Sequence, residues 1–88
     1  MIMTMTSELK KILDIVADLA ENDVKKDVLE TSIIARSRLP DAEVRNHLND
    51  LEWLHLVKEA LPRPSHTDLR LWSITEKGLQ EVPDKDLR

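Results

Sequence analysis

The apolar residues of this chain keep two different rhythms, and the change falls at His55. Upstream they recur every three or four positions, the period of a helix with one buried face. Downstream they alternate, the period of a half-buried strand. Helices first and a strand pair near the end restrict the chain to a mainly α architecture carrying a small β-hairpin. Its 88 residues make a single domain, and a domain of that size buries only about 60–65% of the surface its unfolded chain exposes.

The first helix begins at Thr6 or Ser7, either of which suits an N-cap. Leu9, Ile12, Leu13, Val16, Leu19 and Ala20 form its inner stripe, with Ile15 at the edge. Asn22-Asp23 closes it, and Lys25-Lys26-Asp27 connects it to Val28-Leu29, a pair that forms one small strand or leads straight into helix two. Thr31 or Ser32 is expected to cap that second helix, with Ile33, Ile34 and Ala35 inside and Arg36 and Arg38 outside. Leu39-Pro40 ends it, because the residue before a proline is pushed out of the helical region. Asp41 is expected to cap the third helix, whose inner stripe is Val44, Leu48 and Leu51, flanked by Leu54.

Leu56–Leu61 and Leu69–Ile74 then read as two strands around a tip of turn-forming and polar residues, Pro62 to Asp68. Thr75 caps a short last helix with Leu79 and Val82 inward. Residues 1–6 are expected to be a disordered start, 7–82 the folded domain and 83–88 a charged tail.

Composition excludes several function classes. The chain has no cysteine, hence no disulfide, thiolate metal site or cysteine nucleophile, and its one glycine, Gly78, rules out a glycine-rich phosphate loop. No apolar run approaches a membrane span and the start lacks the features of a signal peptide, so the expected location is the cytoplasm, away from membranes. His47, His55 and His66 have no metal-ligand spacing, and Asp14 with Asp18 reads as a solvated helix face, not an acid/base pair. The reading is therefore of a non-enzyme without metal or cofactor.

Three stretches resemble the winged helix-turn-helix domains of small prokaryotic and archaeal transcription regulators. The first is Ile34-Ala35 in a short helix, a tight turn through Leu39-Pro40, and Val44 early in the next helix. The second is Val44, Leu48 and Leu51 followed by Leu56-Val57, similar to a recognition helix running into the first wing strand. The third is Trp72-Ser73-Ile74-Thr75-Glu76-Lys77-Gly78, similar to the element that closes the wing. The resemblance covers roughly Ser7 to Val82 and implies a three-helix core, a wing and a short C-terminal helix. Two departures stand out. His55 occupies a position where the family has glycine, and the wing tip is built from prolines instead of glycine.

The resemblance makes helix three, about 41–54, a recognition helix for the major groove of double-stranded DNA, with the wing, 58–74, on the backbone or minor groove. Turning that helix about 100° per residue around its inner stripe puts Ala42, Glu43, Arg45, Asn46, Asn49, Asp50 and Trp53 on or near the outer face. Arginine and asparagine make bidentate contacts to guanine and adenine edges, so Arg45, Asn46 and Asn49 are the candidate base readers. Arg36, Arg38, Arg63, His66 and Arg70 are the candidate backbone or minor-groove contacts.

Charge runs the same way. The chain is acidic overall, at −4, yet Arg36, Arg38 and Arg45 outnumber Asp41 and Glu43 across residues 31–48. With so few cations, affinity per subunit is weak, and a homodimer would double the contacts over half-sites roughly 34 Å apart. The rival reading is a winged-helix protein-interaction module that binds a protein partner through Trp53 and the acidic surface, without DNA. Trp53 lies opposite the inner stripe, so it either anchors a partner or folds back on the wing strands or last helix. Trp72, alternating with Ile74, belongs to the core.

Overall fold

The computed structural model describes residues 6–60 and 70–82. Within them the order is α1 (Ser7–Leu19), β1 (Val28–Leu29), α2 (Glu30–Ser37), α3 (Asp41–Trp53), β2 (Val57–Glu59), β3 (Leu71–Ile74) and α4 (Glu76–Gln80). Three helices around a core, a small sheet and a short last helix make a winged helix-turn-helix. Of the start expected to be disordered (1–6), residues 1–5 lie outside the described residues, as do the wing tip (62–68) and the charged tail (83–88), whereas Thr6 is placed as the cap of α1.

Helix α1 starts at Thr6, whose side chain accepts a hydrogen bond from the Leu9 amide, and buries Leu9, Ile12, Leu13, Val16 and Ala17. Ala17 takes the place expected for Leu19, which is only half-buried. The stripe is rotated because α1 packs on both α2 and α3 as well as β3, and the short alanine lets a neighbour come close. Glu21 and Asn22 then take left-handed conformations, with the Asn22 amide bonded back to the Ala17 carbonyl at 2.9 Å. That closes the helix as asparagine-type caps do.

The expected cap of α2 at Thr31 or Ser32 is corrected. The helix begins at Glu30, directly after β1, with Leu29 in the cap position. A strand feeding a helix with no loop leaves no room for a side-chain cap. Instead the Glu30 amide donates at 2.9 Å to the carbonyl of Arg70, the residue just before β3, so the edge of the sheet satisfies the first orphan donor. Ile33 and Ser37, one turn apart, face inward, which leaves Ala35 on the opposite, exposed side, against expectation.

The turn into α3 is set by Ser37 and Arg38. Buried Ser37 donates to the Ile34 carbonyl at 2.9 Å and accepts from the Leu39 amide at 3.1 Å. Arg38 sits at φ 61°, the left-handed stop that ends many helices. Pro40, not Asp41, occupies the cap of α3, and Asp41 becomes its first residue. There its carboxylate still favours the positive end of the helix dipole.

The sheet has the order β1-β3-β2, antiparallel throughout. Val28 pairs with Trp72 and Leu29 with Leu71 on one side of β3, while Val57 pairs with Ile74 and Glu59 with Trp72 on the other. Trp72, Ile74, Val44, Leu48, Leu51, Ile12 and Ile33 are fully buried and form one continuous core.

Candidate nucleic-acid interface

Helix α3 buries Val44, Leu48 and Leu51 and leaves the other side to water. Ala42, Asn46, Asn49 and Trp53 line its outermost face, with Glu43 and half-buried Asp50 on one flank and Arg45, with exposed Asp41 and Glu52, on the other. The two amides lie three residues apart on the same side of the helix, the spacing at which side chains address adjacent positions along a groove. Exposed Arg38 stands at the N-terminal approach to this face.

Arg45 is not a free cation. Its Nε donates to Oε2 of Glu30 at 3.0 Å, and its Nη2 lies 4.0 Å from Asp41 one turn back. Glu30 is the residue that sequence reasoning missed. It is 4% exposed, accepts from the indole Nε1 of Trp72 at 3.1 Å, and has Nη1 of Arg70 at 3.5 Å. An ionised carboxylate out of water is tolerable only when charge and hydrogen bonds replace its hydration. Trp72, Arg45, Arg70 and the start of α2 together provide them.

Arg70 faces inward for the same reason. Its Nε and Nη2 form a two-pronged bond to Glu59 at 3.1 and 2.9 Å, and its guanidinium stacks on Trp72, 4.8 Å from the ring centre. The hydrogen bond it donates to Glu59 pushes its pKa above the ordinary arginine value, against the opposing effect of burial. The residue therefore braces β2 against β3. Arg36 is likewise engaged, paired with Asp18 of α1. Arg63 and His66, expected at the wing tip, fall outside the described residues.

The C-terminal end of α3 is tied to α4. His55 has φ 65°, the left-handed turn expected where the family has glycine. Its carbonyl receives Thr75 Oγ1 at 2.7 Å, and the Thr75 amide donates to Leu56 O at 3.1 Å. Thr75 also accepts from the Gly78 amide at 2.9 Å, capping α4. Gly78 is required by close approach: a Cβ there would meet Leu56 O at 2.1 Å and Ile74 Cγ1 at 2.8 Å.

Trp53 is left mostly uncovered by the described wing strands and by α4. It is 65% exposed and lines a shallow hollow with Leu54, His55 and Lys77. Among the described residues no three metal-ligating side chains gather in one place, and no helix is long and apolar enough to cross a membrane.

Comparison with protein-family models and with characterised proteins finds no match. Solved structures do match. A zinc-responsive MarR family member, ZitR of Lactococcus lactis, is 25% identical with a TM-score of 0.68, covering 89% of this chain and 49% of that one. BpsR of Bordetella bronchiseptica, whose DNA binding is regulated by 6-hydroxynicotinic acid, is 17% identical with a TM-score of 0.72, covering 88% and 53%. A cysteine variant of ZitR solved in complex with DNA is 23% identical with a TM-score of 0.65, covering 89% and 50%. The chain thus has the winged-helix fold of these MarR-type regulators and spans about half the length of each.

Proposed function

We propose that this protein binds double-stranded DNA as a small transcription regulator, with α3 in the major groove and the wing on the backbone or minor groove. Asn46 and Asn49 read base edges, Arg45 reads beside them, and Arg38 holds phosphate. Arg63 and His66 of the wing serve the backbone or minor groove, and Arg36 exchanges Asp18 for phosphate when DNA is bound. Arg70 acts indirectly, by stiffening the wing strands. The observation that carries this reading is the exposed amide face of α3, borne on a fold that in a ZitR variant was solved with DNA.

Acidic side chains stand on both flanks of α3, Glu43 and Asp50 on one and Asp41 and Glu52 beside Arg45 on the other. They repel phosphates, so the helix enters the groove with Asn46 and Asn49 foremost and Arg45 beside them. Binding as a homodimer doubles the phosphate contacts and places two recognition helices roughly 34 Å apart. The test is the pair Asn46→Ala and Asn49→Ala on a duplex enriched by the wild-type protein from a randomised library. Each substitution should weaken that duplex by about 1–3 kcal/mol and leave binding to random duplex unchanged. Equal loss on both duplexes would remove the amides from base readout.

The exposure of Trp53 supports a second reading, a protein-interaction surface at the C-terminal end of α3. An aromatic side chain left mostly in water is the type that anchors protein contacts. On this reading Trp53→Ala abolishes partner binding, while Asn46→Ala and Asn49→Ala have no effect.

A further inference from the structure

Glu30 lies beneath the proposed interface, 4% exposed, and joins three elements: it starts α2, grips Arg45 of α3, and is held by Trp72 of β3 and by Arg70 just before that strand. Its position is fixed from the core side. Trp72 is fully buried and donates its indole N–H to Oε1, so the carboxylate cannot turn away without stranding a buried donor. The other oxygen, Oε2, is left for Arg45.

Arg45 is held there by one atom only. Nε takes the Glu30 bond, while the side chain as a whole is 49% exposed. The competing acid, Asp41, is itself 65% exposed and stands 4.0 Å from Nη2, a looser contact that water and salt weaken. A guanidinium bonded through Nε keeps its Nη1/Nη2 end for another planar acceptor pair. Among base edges in DNA the acceptor pair that matches such a fork is O6 and N7 of guanine.

We propose that Glu30 is a positioning residue for base recognition: it pins Arg45 through Nε and so presents the Nη1/Nη2 end of that guanidinium to a guanine in the major groove. This rests on the DNA-binding reading above and adds to it a base preference and the buried group that enforces it. Pinning lowers the rotamer freedom that a long arginine would otherwise lose on binding. It also spreads charge over the Glu30–Arg45 pair, so the contact favours a base edge over a phosphate.

The test is selection of binding sites from a randomised duplex library by four proteins: wild type, Arg45→Ala, Arg45→Lys and Glu30→Gln. Wild type should enrich a site with one strongly preferred guanine. Arg45→Ala should lower that preference about tenfold or more, leaving the other positions of the site intact. Glu30→Gln should lose the same guanine and no other position, and Glu30→Gln combined with Arg45→Ala should be no worse than Arg45→Ala alone. A merely structural Glu30 would instead weaken every position evenly, and that result overturns the proposal.

Arg45→Lys keeps the charge and leaves Glu30 in place, so it remains informative should Glu30→Gln fail to fold. Lysine still donates to guanine O6 and N7, but it has no fork and no Nε–H for Glu30 to hold, so the guanine preference should fall several-fold. An undiminished preference in that variant also overturns the proposal. If the wild-type protein enriches no site, the DNA-binding reading fails first and carries this one with it. Enrichment of a site indifferent to Arg45 removes the guanine assignment alone.

Discussion

The indole N–H of Trp72 reaches across the core to Oε1 of Glu30 at 3.1 Å, joining residues 42 positions apart. Trp72 is the largest fully buried side chain, and Glu30 is one of the few buried polar ones. The bond therefore places a carboxylate at a fixed depth under α3, and Arg45 and Arg70 arrange themselves around it.

Trp72→Phe removes that donor and part of the indole volume while keeping an aromatic ring in the core. A buried carboxylate short of one partner plus a small void should lower stability by about 2–4 kcal/mol. Urea unfolding followed by circular dichroism measures it. A loss below about 1 kcal/mol would mean that the Glu30 carboxylate is satisfied without the indole.

Gly78→Ala should destabilise the domain by about 1–3 kcal/mol, the range for overpacking. The added methyl meets a backbone carbonyl, Leu56 O, at 2.1 Å, and a backbone atom cannot swing aside as a side chain does. Since Leu56 follows the end of α3, chemical shifts at Leu54, His55 and Thr75 should move with the loss of stability.

Two left-handed residues separate stability from binding. Both Arg38, at φ 61°, and His55, at φ 65°, occupy a conformation that favours glycine. His55→Gly should raise stability by about 0.5–1 kcal/mol and leave DNA affinity unchanged. Arg38→Gly should raise stability similarly but weaken DNA binding and flatten its salt slope by about one. Parallel thermal melts and binding titrations separate the two effects.

Trp53→Ala should change stability by less than about 1 kcal/mol, because the side chain is 65% exposed and leaves no cavity behind. Binding to random duplex should be unaffected. With Trp72 as the remaining indole, the variant's fluorescence spectrum should shift to the blue, since the surviving emitter is wholly buried.

The helices, the strand pair and the inner stripe of α3 can be read from spacing because burial on one side imposes a period. The left-handed turn at His55 can be read from the family's glycine at that position. Helix starts are harder: Thr31 and Ser32 look like caps, but β1 runs into α2 and the Arg70 carbonyl serves Glu30 instead. Ala35 reads as apolar and therefore inner, yet an eight-residue helix buries only the side carrying Ile33 and Ser37.

Of the candidate interface, Asn46, Asn49 and Arg38 stand exposed where helical geometry puts them. The inward turn of Arg70 and the burial of Glu30 have no local signature. A glutamate beside threonine and serine reads as surface, and only partners distant in sequence make its burial tolerable. A partner for Arg45 15 residues away becomes visible only when α2 and α3 are packed.

DNA binding through α3 and the wing is tested most directly by fluorescence anisotropy with a labelled random duplex, titrated at low and at physiological salt. Binding in the micromolar range at low salt, weakening with a log–log slope of about −3 per subunit, is the expected result. No change in anisotropy at low salt, with the protein folded and concentrated well above that range, would contradict it and leave Trp53 as the surface to pursue.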